Sequence, residues 1–484
     1  MLDFNPLRAQ PKPIHIGIIG GGIAGSTIAL RLAELNIQVT LIEKGPSLVN
    51  GPPICHLHAG GNLYREISEE QCITLLRQSI DTLKLYKHSA NIRPTVVAIP
   101  KADKGNPEDL MSRLEKLRTE YAQLITQDDS NQVLGPANDY FALYSKSKLI
   151  KLAKKDLPEQ AETLDDWMIP VAKNIDFDAV KFPLVLVQEY GLSAFRLAAS
   201  AILATAKLES CQVLTNTKVI SITKEDKHWL LETDNQASIK VDYLVNACGF
   251  KTGEIDDMLT LKRERMVEFK AAYITHWQQC EGQWPEVIFY GERGTPQGMA
   301  QLTPYANGYF QLHGMTQDIT LFKNGLVATT SKSAQPKLEQ EFITKIDDAW
   351  QAKNVYARTN KSISHMSQFI PNFSRAKMGG NPLFGAQQIP GADADLRAAD
   401  VTFSGKNYAR AEIVKASSAI DGANLIVKKL IEVGLLDSKS AYQTEHYPVT
   451  GSLNQSEVTN LAIKLAKQRN YPIDLAKVVG QLSK

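Results

Sequence analysis

Hydrophobic periodicity is sharpest near the start of the chain. Ile14, Ile16, Ile18 and Ile19 make a short apolar run that reads as a buried parallel strand, followed by Gly20, Gly22 and Gly25 in a GxGxxG turn. A helix beginning near Ala24 comes next, apolar at Leu30, Leu32 and Leu35, and 38–42 reads as a second strand ending on Glu43. Each glycine has its own task. Gly20 permits the tight turn, Gly22 lets backbone come close to a pyrophosphate, and Gly25 lets helix and strand pack closely. Unpaired N–H groups at Ile23 and Ala24 would point at the same phosphates. Glu43 stands where an acid accepts hydrogen bonds from a ribose, with Lys44 beside it.

A glycine- and proline-rich loop, 45–53, leads into ICHLHAGGNLYREIS at 54–68, where two histidines and a GG pair suggest backbone held close to a ligand. Helical period returns from Leu75 to Leu85, and 95–99 reads as a strand leaving the nucleotide unit. The segment 101–165 is charged and largely helical, clearest over 108–125. Leu184 to Val187 reads as a strand, Gly191 and Ser193 open a helix, and further strands end on Cys248-Gly249, small enough for backbone to pass over a nucleotide. Between Lys262 and Gln317 short alternating strands with polar turns predict a mostly antiparallel second domain. A helix is expected at 339–352. Another carries Ile420, Ala423, Val427, Leu430 and Ile431 on one face, with Gly434 as its C-cap. The stretch 456–484 is helical and amphipathic, with packing onto the body as one reading and contact with a membrane surface as the other.

Composition narrows the field. A chain of 484 residues with 43% hydrophobic content can hold two or three domains, and a formal charge of +2 gives no case for nucleic-acid binding. No apolar run approaches a membrane span and none resembles a signal peptide, so a cytoplasmic protein is expected, or one peripheral to the inner face of a membrane. Five scattered cysteines without CxxC spacing indicate neither a disulfide framework nor a metal site.

The segments IGIIGGGIAGSTIALRLAELNIQVTLIEKG, EYGLSAFRLAASAI, TNTKVISI and YLVNACGFKTGEI resemble the FAD-dependent oxidoreductases of the D-amino-acid oxidase, glycine oxidase and sarcosine oxidase superfamily, with some likeness to malate:quinone oxidoreductases. The resemblance implies an α/β chain: a Rossmann-like FAD-binding domain of the glutathione-reductase type, joined to a mostly antiparallel substrate domain. FAD binding falls to 14–95, 184–262 and 365–440, the substrate domain to 96–183 and 263–364, and 441–484 forms the tail. It further implies adenine near Val219, and ribose and pyrophosphate near Cys248 and Gly249. HAGG, with His58, Ala59, Gly60 and Gly61, would lie against the flavin ring, His58 being the residue for any covalent attachment. The later SGKNYARAEIV brings Tyr408 to the cofactor as part of the closing loop.

Only one complete strand, turn, helix and acid unit is present, so no second site for NAD(P)H is evident and the reductant is the substrate itself. Arg293, Arg375, Arg397 and Arg410 are candidates to anchor a carboxylate, Arg410 being preferred. His313, in GYFQLHG, shares a strand face with Tyr309 and Gln311 and is the candidate base, against the reading of a histidine merely satisfied within the sheet. The leading expectation is oxidation of a small 2-hydroxy acid or amino acid by hydride transfer to FAD, with electrons passed to a quinone or oxygen. A flavoprotein modifying tRNA or another macromolecule, and a non-catalytic FAD-binding protein, are the alternatives.

Overall fold

The computed structural model describes residues 14–51, 67–348, 350–394, 396, 401–438 and 447–480. The apolar strand His15–Ile19 lies at the centre of a six-stranded sheet, parallel to Gln38–Ile42 on one side and to Tyr243–Asn246 on the other. Beyond these lie Cys211–Leu214, Tyr408–Ala411 and an antiparallel edge strand, Val401–Phe403. Strands this apolar must be covered on both faces. A three-stranded meander from Val219 to Val241 covers one, packing Ile222, Trp229 and Leu231 on Ile19, Ile42 and Leu244. Helices Ile23–Glu34 and Ala419–Glu432 cover the other, meeting through Ile28, Ala29, Ala423 and Ile426.

The second sheet has ten strands. Its long strand, Arg265–His276, pairs with Tyr309–Gly314 on one side and with Leu383–Pro390 on the other. Two expected domain limits shift as a result. Leu184–Val187 is a strand as read, but it pairs antiparallel with Thr95–Ala98 and Phe141–Tyr144 and so belongs to the large sheet. The stretch from 365 to 390 also stays with that sheet, and the chain rejoins the nucleotide sheet only at Val401. A run such as LVLV satisfies either sheet, since both bury it on two faces. Helix Ala352–Ser367, not expected from the sequence, buries Val355, Ile363 and Met366 alongside Thr359 and Ser362.

The C-terminal stretch packs onto the body. Helix Gln455–Gln468 buries Val458, Ala462, Leu465 and Ala466 against helix Ala194–Thr205. Upstream, Val449 donates its N–H to the Glu34 carboxylate at 3.2 Å. Burial pushes the Glu34 pKa from 4.5 to about 7, outweighing that hydrogen bond and the nearby Arg31, which both pull it down. A raised folded-state pKa means that stability is fully present below about pH 4.5 and is lost as pH rises through about 7. The melting temperature is therefore expected to fall across that window, and Glu34→Gln to flatten the fall. An unchanged slope in thermal melts of the variant would contradict this.

Candidate active site

The strand ends at Ile19 and Ile42, and Ala247 just beyond Tyr243–Asn246, open onto one cleft, as expected at the carboxyl edge of a parallel sheet. Gly20 holds φ +102°, and a Cβ there would come within 2.4 Å of the Ala247 carbonyl. A Cβ on Gly25 would meet the Gly20 carbonyl at 1.9 Å, so that glycine is fixed by turn-to-helix packing. Gly22 differs. It has an ordinary φ of −66°, and a Cβ would meet nothing within 4 Å because it would point into the cleft. It is also the N-cap of helix Ile23–Glu34 and makes no side-chain cap, so amides at Ile23 and Ala24 are offered to an anion.

Glu43 is pinned by two backbone amides, Gly21 N–H at 2.7 Å and Gly45 N–H at 2.6 Å. Each carboxylate oxygen keeps a second lone pair for a ribose hydroxyl. Lys44, Val219, Cys248 and Gly249 also line the cleft. The Cys248 thiol is tied to the Ile19 carbonyl, and burial pushes its pKa far up, so it is a wall and not a nucleophile. The cleft volume is about 1950 Å³, well above the roughly 300–1,000 Å³ of a site for one small ligand. An open glycine cradle, a bare helix start, a placed acid and this volume fit FAD together with a substrate.

At its other end the cleft is lined from the large sheet by Lys270, Tyr290, Arg293, Gln301 and His313, and from helix Ala352–Ser367 by His365. Glu268 and Lys270 project from one face of strand Arg265–His276, two residues apart. Arg293 pairs with the buried Glu268, and Lys270 bonds the same carboxylate at 2.7 Å and the Gln387 side-chain oxygen at 2.9 Å. His365 meets the Gly298 carbonyl at 2.9 Å through Nε2, which must carry the proton since a carbonyl only accepts. Burial lowers its pKa, partly opposed by that bond, and keeps the ring neutral at pH 7. The turn Ala416–Ser418, at the start of helix Ala419–Glu432, reaches the cleft through Ala416, which sets that helix's positive end toward it.

Of the residues expected at the site, the structure brings Gly20, Gly22, Ile23, Ala24, Glu43, Lys44, Val219, Cys248, Gly249, Arg293 and His313 to the cleft, with Gly25 directly behind it. His58, Ala59, Gly60, Gly61 and Arg397 lie outside the described residues. Four expectations are corrected. Tyr408 is buried behind the sheet, its hydroxyl donating to Asp256 and accepting from Asn246, both at 2.9 Å. Arg410 is fixed to Asp256 at 2.6 Å, in a buried cluster where Arg265 bonds both Asp256 and Glu412. The alternation of strand Tyr408–Ala411 does not reveal which neighbour its polar side chains meet. Arg375 is exposed and away from the cleft, and Tyr309 stacks on His276 instead of sharing the site with His313. Lys270, Glu268, Gln301 and His365 were not singled out from the sequence, although two charges within the otherwise apolar MVEFKAAYITH were a usable signal.

A family model described as FAD dependent oxidoreductase matches residues 15–148. No curated protein matches the chain in sequence. Among solved structures, L-amino acid deaminase from Proteus vulgaris superposes with a TM-score of 0.58 at 15% identity, covering 90% of this chain and 98% of that one. Glycine oxidase from Geobacillus kaustophilus gives 0.55 at 14% identity, covering 86% and 94%. L-alpha-glycerophosphate oxidase from Mycoplasma pneumoniae, solved with FAD bound, gives 0.55 at 16% identity, covering 92% and 99%. At such identities the likeness is one of fold. Together with a cleft whose residues suit the cofactor, the match over residues 15–148 makes the nucleotide-binding segment that of an FAD-dependent oxidoreductase, and the chain as a whole shares the fold of these solved enzymes.

Proposed function

We propose that this flavoprotein oxidises a small amino acid or 2-hydroxy acid and passes the electrons to a quinone or oxygen. The observation that carries the reading is the charge at the substrate end of the cleft. Two cationic side chains, Arg293 and Lys270, line that end of the cleft around one buried carboxylate, Glu268, and suit an anionic substrate. The names of the superposed structures, which include an amino acid deaminase and a glycine oxidase, support the same substrate class.

Gly20 and Gly22, with the amides at Ile23 and Ala24, would hold the FAD diphosphate, and Glu43 the ribose. Bound FAD supplies the two-electron acceptor for the substrate's α-hydrogen. Arg293 and Lys270 orient the substrate carboxylate. His313 takes the proton from the amine or hydroxyl, and neutral His365 adds no competing charge. The positive end of helix Ala419–Glu432, which meets the cleft through Ala416, would favour negative charge on a bound flavin.

Anaerobic titration of the holoprotein with a panel of amino and hydroxy acids should bleach the visible flavin bands for at least one class. Arg293→Ala should raise the concentration needed for half-bleaching by about tenfold to a hundredfold, the scale of one lost charge-assisted contact. Bleaching by no member of the panel, or an unchanged requirement in the variant, would overturn the assignment. Turnover with oxygen compared with turnover with a soluble quinone separates the two acceptors.

A further inference from the structure

The C-terminal stretch forms part of the cleft wall. Helix Gln455–Gln468 ends at Arg469, and Arg469 and Tyr471 both line the cleft. Arg469 donates through Nη1 to the Val49 carbonyl at 3.0 Å, and through Nη2 to Ser47 Oγ at 2.9 Å and the Leu48 carbonyl at 3.2 Å. Val49 in turn donates its N–H to the Gly21 carbonyl at 2.8 Å. The segment 47–49 is thus held between the glycine turn and a single arginine.

Two features set this contact apart from ordinary packing. Val49 has φ +51°, a left-handed conformation that a β-branched residue adopts only when its surroundings impose it. Arg469 has only neutral oxygen partners among the described residues, none of them a carboxylate. A half-buried cation held by neutral oxygens, one residue removed from a phosphate cradle, is complementary to an anion in that cradle. Beyond Arg469 the chain bonds to the other domain. Tyr471 donates to the Pro382 carbonyl at 2.8 Å, and Asn307 donates to Asp474 at 2.6 Å.

We propose that Arg469 is a cofactor-positioning residue: it clamps Ser47 to Val49 against the glycine turn and supplies positive charge beside the FAD diphosphate, so that the segment from Gln455 to Gly480 completes the FAD site. This rests on the FAD reading of the cleft. The test is titration of deflavinated protein with FAD and with ADP, followed by fluorescence, for the wild type, Arg469→Leu and Arg469→Lys, alongside melting of each apoprotein.

Arg469→Leu should weaken FAD about tenfold, the scale of one charge-assisted contact, with ADP weakened in parallel and a shallower dependence on salt. Arg469→Lys, which keeps the charge but not the three-way fork, should recover part of the loss. Wild-type affinity for FAD in both variants would overturn the proposal, as would a loss for FAD with none for ADP. If Arg469→Leu does not fold, Arg469→Lys decides alone: wild-type affinity in that variant overturns the fork, and a partial loss of FAD and ADP together supports it. Failure of the wild type to take up FAD would refute the FAD reading itself, which is a separate result.

Discussion

The Gly22→Val protein is expected to purify folded but colourless. A Cβ at this position meets no protein atom within 4 Å and the φ of −66° is one that any residue adopts, so the apoprotein should melt near the wild-type temperature. The valine side chain would instead fill the space where the diphosphate approaches the backbone, and flavin retention should be lost. Gly25→Val makes the informative contrast. There the Cβ lies 1.9 Å from the Gly20 carbonyl, so the turn itself must break and the apoprotein should be strongly destabilised. Flavin content from the absorbance spectrum, set beside apoprotein melting, reads both effects. A yellow Gly22→Val protein would remove the diphosphate from this turn.

Asp256→Ala is expected to produce the largest loss of stability of any single substitution considered. This fully buried carboxylate carries Arg265 and Arg410, each at 2.6 Å, and accepts the Tyr408 hydroxyl. It thereby joins helix Thr252–Met258, the first residue of the long strand in the large sheet and the last parallel strand of the nucleotide sheet. Removing it leaves two guanidinium groups buried, of which Arg265 keeps Glu412. Breaking a buried pair costs about 3–5 kcal/mol, enough to remove much of a domain's stability. Urea denaturation should show a lower midpoint with a similar slope. A midpoint within error of the wild type would mean that solvent reaches this cluster.

The nucleotide-binding unit was legible in the sequence because its information is local. Strand, glycine turn, helix, strand and acid lie within thirty residues or so of one another, and each residue type is forced by backbone geometry at its own position. The substrate end was not, because it is assembled across the sheet: Glu268 and Lys270 come from one strand, Arg293 from a loop, His313 from another strand and His365 from a helix. That helix escaped notice since Thr359 and Ser362 fill buried positions where a periodic signal needs apolar residues. Arg410 was chosen for its chemistry, yet its strand is buried at all four positions, and a guanidinium there has to be paired. The amphipathic C-terminal helix was recognised as such, but amphipathicity does not say what lies opposite the apolar face.

The order of strands in the nucleotide sheet bears on how the protein is made. His15–Ile19 and Gln38–Ile42 are synthesised early, yet the neighbours that complete their sheet, Tyr243–Asn246 and Cys211–Leu214, arrive some two hundred residues later, and Tyr408–Ala411 later still. At about 5–20 residues per second this interval lasts on the order of ten seconds or more, during which an apolar strand pair has exposed edges. Such long-range pairing folds slowly and leaves the nascent chain open to aggregation. Expression at lower temperature, or with raised chaperone levels, should therefore increase the soluble yield of this protein more than that of a protein whose parallel sheet is built from consecutive strands.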